Sequence, residues 1–234
     1  MAYYNLKLKH YFIHIPKNGG KAVAKFLMNL PEEFAFTPLA HGHMSSAEIE
    51  TNLSEQFPDT KWTGVAVVRN PYTRYVSAYD FGLYTSKIMI EGRHRKANKV
   101  VANVEKSWVE FGKLTPQTLL EEWIKYERDE SSINFREDLP YLTPTLRTQS
   151  SYVIPTTVKF NMESLKHLKR YFEELIHLPL NDIHVMNATP LPYAKLQGLN
   201  VDTQELVRLY YADDFVLGKY PKEIINSQIL NDDI

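Results

Sequence analysis

The hydrophobic positions alternate between short apolar runs and longer stretches of helical periodicity. Tyr11-Phe12-Ile13-His14-Ile15 is almost entirely apolar, the pattern of a parallel strand covered on both faces, and Pro16 ends it. Beyond two glycines, Val23, Phe26, Leu27 and Leu30 recur at the spacing of one helix face, and Pro31 stops that helix. Phe34-Ala35-Phe36 predicts a second strand. Ser45 and Glu48 stand at capping-box spacing, so a second helix is expected from there to about Phe57. The β-branched run over residues 62–68 predicts a third strand that ends at Arg69. Asn70 followed by Pro71 then supplies a cap and a first helical residue.

Strands that alternate with helices imply crossover connections and an α/β, P-loop-like three-layer fold, with a central mostly parallel sheet flanked by helices. Ligands of such sheets sit outside the carboxyl ends of the strands. Three segments follow strands directly: residues 17–20, residues 41–43, and Arg69 with its helix. They are therefore expected to meet on one rim although they lie far apart in sequence.

Past Tyr84 the pattern changes to a basic insertion over 87–106, within wider bounds of 85–110, carrying Arg93, His94, Arg95, Lys96 and Lys99. Thr115-Pro116 opens another helix to about Tyr126. Residues 157–160 suggest a strand, followed by a helix over 162–176 with Leu165, Leu168, Phe172 and Leu175 inward. Asp202 and Glu205 are expected to cap a last helix carrying Leu206, Val207 and Tyr210. One domain over 1–225 and a polar tail over 226–234 complete the expected organisation.

Composition narrows the function classes. The 234 residues are 44% hydrophobic and 24% charged, with 15 Tyr and 11 Phe, an ordinary globular make-up. Lys and Arg number 27 against 28 Asp and Glu, so the overall charge gives no reason to expect a nucleic-acid partner, and any anion site must be local. There is no cysteine, which removes disulfides, thiolate metal sites and thiol nucleophiles. No apolar stretch suits a signal peptide or membrane span, so a soluble, cytoplasmic protein without a membrane partner is expected.

The candidate chemistry lies in two segments. In Pro16-Lys17-Asn18-Gly19-Gly20-Lys21-Ala22 a strand passes through a glycine turn into a helix N-terminus. Unpaired amides at the helix start, close backbone approach at glycine and the helix dipole make such a turn an anion cradle, and Lys17 and Lys21 add charge. A nucleotide kinase is the obvious rival, but its loop requires a Gly five positions before Gly20 and a hydroxyl residue where Ala22 stands. The second segment is Arg69-Asn70-Pro71-Tyr72-Thr73-Arg74-Tyr75-Val76-Ser77-Ala78-Tyr79. Arg69 leaves the sheet at the rim, and Arg74 and Ser77 are three residues apart on the following helix; guanidinium and hydroxyl groups together suit a phosphate monoester. Tyr72, Tyr75, Val76 and Tyr79 read as packing residues.

Taken together, the two segments resemble the paired cofactor motifs of the sulfotransferases related to the Golgi carbohydrate and heparan sulfate 2-O enzymes. Weaker similarities continue through Gln149-Ser150-Ser151-Tyr152, Asn161-Met162-Glu163-Ser164-Leu165, Asn187-Ala188-Thr189 and the stretch from Tyr210 to Tyr220. The resemblance implies 3′-phosphoadenosine 5′-phosphosulfate as co-substrate, without a metal. Its 5′-phosphosulfate would lie on Lys17, Asn18, Gly19, Gly20, Lys21 and Ala22, and its 3′-phosphate on Arg69 and Ser77. It also implies a hydroxyl acceptor of carbohydrate type. Two departures stand out: Asn18 replaces a usual Thr, and Lys21-Ala22 replaces Thr-Ser, so two hydroxyl contacts are absent and Lys21 supplies charge in their place.

A sulfuryl acceptor must lose a proton, which calls for a base poised near neutral pH. His-Gly-His at 41–43 resembles the histidine segment of the 2-O-sulfotransferases, which makes His43 the expected base and His41 the second candidate or a substrate-orienting group. A His-x-His metal pair is another reading of the segment, weakened by the lack of a closely following carboxylate. His14, on a buried strand, reads as structural. The implied reaction is direct in-line transfer, with Lys17 and the loop amides stabilising charge on the departing oxygen. A module that binds a nucleotide or an anionic glycan without catalysis is the alternative from a different class.

Overall fold

A computed structural model describes residues 2–40, 42–90, 114–139, 142–184 and 199–223, with backbone alone at 40, 86–90, 137 and 138. The chain divides into two compact units, residues 1–70 with 148–188 and residues 71–147 with 189–234.

The first unit is built on a five-stranded sheet of order β3-β1-β2-β4-β5, with β1 Ala2–Asn5, β2 His10–Ile13, β3 Thr37–Ala40, β4 Thr63–Val68 and β5 Val158–Asn161. β2, β4 and β5 pair in parallel, whereas β1 lies antiparallel to both β2 and β3. Four strands thus run one way and one runs the other, so the α/β sheet is mixed. β1 is the element that the hydrophobic pattern did not reveal. It returns to β2 through residues 6–9, where Lys9 takes a left-handed φ of 55° and Leu8 N donates to Asn5 Oδ1 at 2.8 Å. That turn contains no glycine, proline or Asn-Gly pair to announce it.

Helices cover both faces of the sheet. Phe12, Val65 and Val67 point to the face that buries Val23, Ala24, Phe26 and Leu27 of α1 (Gly20–Met28) and Leu168 and Phe172 of α7 (Leu165–Ile176). Tyr11, on the opposite face, fixes α2 (Ser46–Gln56) through hydrogen bonds of its hydroxyl with Ser46 Oγ at 2.9 Å and Glu50 Oε1 at 2.7 Å. Ser46 Oγ is also 3.2 Å from Thr157 Oγ1, just before β5. The N-terminus of α2 is therefore anchored, and with it the segment that carries His43.

The expected second strand is displaced: residues Glu32–Phe34 form a 3-10 turn, and β3 begins at Thr37. The expected helix start at 162 is likewise a 3-10 turn, Met162–Ser164, ahead of α7.

The second unit is helical: α3 Pro71–Ile90, α4 Pro116–Glu127, α5 Phe135–Asp138, α6 Thr143–Leu146, α8 Val201–Tyr210 and α9 Ala212–Gly218. Tyr72, Tyr75 and Tyr79 of α3 lie in its core with Leu119, Trp123, Phe135, Val207 and Tyr211. Their hydroxyls are satisfied by main-chain carbonyls: Tyr79 donates to Leu114 at 2.7 Å, Tyr72 to Lys222 at 2.7 Å, and Tyr75 to Pro116. The cap of α8 is Asn200, whose Oδ1 accepts from Thr203 N at 2.8 Å, rather than Asp202, which lies inside the first turn. α3 extends to Ile90, into the expected insertion; the remainder of that insertion and the 226–234 tail lie outside the described residues.

The capping box of α2 is complete: Ser45 Oγ accepts from Glu48 N, while Glu48 Oε2 accepts from Ser45 N at 2.7 Å. Ser45→Ala is expected to lower the free energy of unfolding by about 1 kcal/mol in urea titrations, the usual cost of a lost cap.

Candidate active site

The three segments expected to share a rim do leave the sheet on the same side. Ala2 pairs with Ile13 on one side and Ala40 on the other, so the carboxyl ends of β2 and β3 flank the start of β1. Ile13 pairs in parallel with Ala66, which places the exit of β4 beside the exit of β2.

The loop after β2 is shaped by its backbone. Lys17 and Gly19 both take φ of 69°, the left-handed region, which for Lys17 costs about 1 kcal/mol and must be held by its surroundings. Arg69 supplies one such hold: its Nη1 donates to the Lys17 carbonyl at 3.3 Å. α1 starts at Gly20; among the described residues no side chain caps it, and its first turn has no acidic residue. First-turn amides without a side-chain acceptor, together with the helix dipole, suit an anion, and Lys21 on that turn is exposed. Gly20 is required for a steric reason, because a Cβ there would stand 1.9 Å from Cδ2 of His14.

His14 and His43 form an edge-to-face pair with centroids 5.0 Å apart. His43 Nδ1 lies 2.9 Å from the main-chain carbonyl of His14. A carbonyl only accepts, so Nδ1 carries the proton and Nε2 of neutral His43 holds the lone pair. Burial lowers the His43 pKa below the usual histidine value, and the bond to the carbonyl offsets this in part. His14 is more deeply enclosed. Burial first, and then the positive charges of His43 and Lys21, push its pKa down to about 3, so it is neutral at physiological pH. Its Nδ1 is buried and has no hydrogen-bond partner among the described residues.

Asn18 points into the protein. Its Nδ2 donates to the Val67 carbonyl at 2.8 Å and to Gln149 Oε1 at 2.6 Å. Gln149, fully buried, also accepts from Arg69 N at 2.8 Å and donates from Nε2 to the Arg69 carbonyl at 2.9 Å. Asn70 N donates to Glu163 Oε1 at 3.2 Å. Periodicity could not find Gln149 or Glu163, since each lies outside a periodic element; both do occur in the short stretches similar to the family, which was the one signal available.

The remaining expected residues are placed as follows. Ala22 is buried in α1, and Ser77 is half-buried on α3 in the second unit. Arg74 is 2% exposed, and its guanidinium lies over the Tyr211 ring at 5.9 Å. His41 lies outside the described residues.

The chain belongs to the sulfotransferase family, whose model matches residues 4–221. It is accordingly an enzyme that uses 3′-phosphoadenosine 5′-phosphosulfate to sulfate a hydroxyl acceptor. No curated protein and no solved structure matches the chain. Among the described residues no group of three or more His, Asp or Glu is arranged to hold a metal ion, and no helix is long and apolar enough to cross a membrane.

The neutral, buried His14 makes stability pH-dependent. A histidine whose folded pKa is depressed contributes stability above its unfolded pKa, near 6.5, and this is lost as pH falls toward the folded value of about 3. Across that window the unfolded chain holds one proton more at this site, a slope of about 1.4 kcal/mol per pH unit. His14→Phe, measured by urea denaturation at a series of pH values from about 7 down to 4.5, is expected to flatten the acid limb by about one proton.

Proposed function

We propose that the enzyme transfers the sulfuryl group in line to a hydroxyl of a carbohydrate, with His43 as general base. The observation that carries this reading is the hydrogen bond from His43 Nδ1 to the His14 carbonyl, which turns Nε2 into the proton acceptor. His43 stands three positions beyond Ala40, the end of β3, on the rim where the Lys17–Ala22 loop leaves β2.

The donor supplies an electrophilic sulfur and a phosphate leaving group. The acceptor oxygen attacks sulfur as the bridging S–O bond breaks, and Nε2 of His43 takes the hydroxyl proton. Lys17, together with the amides that open α1, balances charge on the phosphate oxygen that departs. Lys17, Asn18, Gly19, Gly20, Lys21 and Ala22 hold the 5′-phosphosulfate. Asn18 contributes through its main chain, its side-chain amide being turned toward Val67 and Gln149. The 3′-phosphate is assigned to Arg69 and Ser77, and acceptor orientation to His41, on the strength of the family resemblance. That resemblance is also what supports a carbohydrate acceptor.

Calorimetry separates the donor assignment from catalysis. 3′-Phosphoadenosine 5′-phosphate should bind at least ~10-fold more tightly than adenosine 5′-phosphate, and Arg69→Ala or Ser77→Ala should abolish most of that preference. Equal affinity for the two nucleotides would overturn the assignment.

The base makes its own prediction. Because the His43 pKa is lowered, kcat/KM should be flat near neutrality and decline with unit slope on an acid limb whose midpoint lies below 6.5. His43→Ala should cost ~100-fold or more in kcat and remove that limb. Full activity in this variant, assayed by transfer of labelled sulfate to a glycan panel, would shift the role to His41.

A further inference from the structure

We infer that Gln149 is a positioning residue for the donor loop, acting with Asn18 through a buried pair of carboxamides; the inference rests on the donor assignment above. Three main-chain or side-chain groups of the rim converge on this one side chain. Its Oε1 accepts from both Asn18 Nδ2 and Arg69 N, and its Nε2 donates to the Arg69 carbonyl. Toward Arg69 the carboxamide thus acts as one residue of a neighbouring strand would, engaging both the N–H and the C=O just where β4 has left the sheet. Toward the loop it fixes Asn18, whose second amide hydrogen is held by the Val67 carbonyl.

The circuit closes through Arg69, whose guanidinium reaches the carbonyl of Lys17, the neighbour of Asn18. A change at Gln149 therefore acts on the loop twice, once through Asn18 and once through the backbone that aims Arg69 at Lys17. Both carboxamides are almost completely enclosed, with Gln149 at 0% and Asn18 at 1% exposure. Among the described residues, Asn18 Oδ1 nevertheless has no hydrogen-bond partner. An apolar side chain of similar volume would avoid the penalty of enclosing that oxygen. What the amide provides instead is two donors in fixed directions, which set the loop's position relative to β4. Catalysis by positioning is sensitive to such constraints, because displacement of a reacting group by about 1 Å can cost on the order of 100-fold in rate.

The test uses the full chain and 3′-phosphoadenosine 5′-phosphate as probe. Gln149→Ala and Asn18→Ala are each expected to weaken its binding by at least ~10-fold in calorimetry, and the double variant to lose no more than the weaker single variant, since both break one circuit. Gln149→Glu keeps both accepted hydrogen bonds and loses the donated one, so its affinity should fall between wild type and Gln149→Ala. In turnover, the donor KM should rise while the acceptor KM stays unchanged. If Gln149→Ala does not fold, Asn18→Ala and Gln149→Glu carry the comparison. Variants that melt at lower temperature yet bind the probe with wild-type affinity would overturn the inference and leave Gln149 an ordinary core residue. A wild-type protein that fails to prefer this probe over adenosine 5′-phosphate would overturn the donor assignment itself, an outcome visible before any variant is made.

Discussion

Parallel pairing of β2 with β4 is the constraint from which the site follows. Parallel strands end on the same side, so the register that sets Ile13 beside Ala66 delivers the Lys17–Ala22 loop and Arg69 to one rim. β1 is what makes room for a third contributor. Because it runs antiparallel between β2 and β3, β3 regains the direction of β2, and His43 emerges on the rim shared with the loop. The direction of one N-terminal strand thus determines whether His43 and the Lys17–Ala22 loop stand on the same edge.

A rim of this kind gathers backbone groups that have lost their ladder partners, and these must be satisfied without blocking a ligand. The structure does so from behind. Gln149 takes up both polar groups of the Arg69 main chain, Glu163 accepts from Asn70 N, and Asn18 binds the Val67 carbonyl. α1 is treated differently: among the described residues its start has no side-chain cap and no acidic first turn. The Arg69, Asn70 and Val67 main-chain groups are matched internally, whereas the start of α1 carries no side-chain cap among the described residues.

The sequence exposed those parts of this arrangement that rest on local rules. α1 was readable from four apolar positions and Pro31, α2 from the Ser45–Glu48 box, and β4 from its β-branched run, because periodicity, capping and branching act within a few residues. β1 escaped because its turn relies on Lys9 in a left-handed conformation and on the Asn5 side chain, which imitates a turn without the usual turn residues. The surroundings of Arg74 were hidden for a related reason: spacing gives the face of a helix but not what that face meets, and here it meets Tyr211. Gln149 is 131 positions from Asn18, and no local rule can join them. Recognition of two separated motifs reached the function, yet it was silent on what holds those motifs in place.

Under the donor assignment proposed above, Asn18 in place of the Thr that the resemblance leads one to expect acquires a physical meaning. A threonine hydroxyl at the loop could face the donor, whereas the longer carboxamide turns inward and spends both hydrogens on Val67 and Gln149. Contact with the donor is exchanged for rigidity of the loop that meets it. In the proposed site the charge of the phosphosulfate is balanced by the first-turn amides of α1, half-buried Lys17 and exposed Lys21, which stands where the resemblance leads one to expect a hydroxyl. In the proposed site, two departures that look independent in sequence are therefore linked: Asn18 ties the loop to Val67 and Gln149, and Lys21 offers charge where hydroxyls are expected.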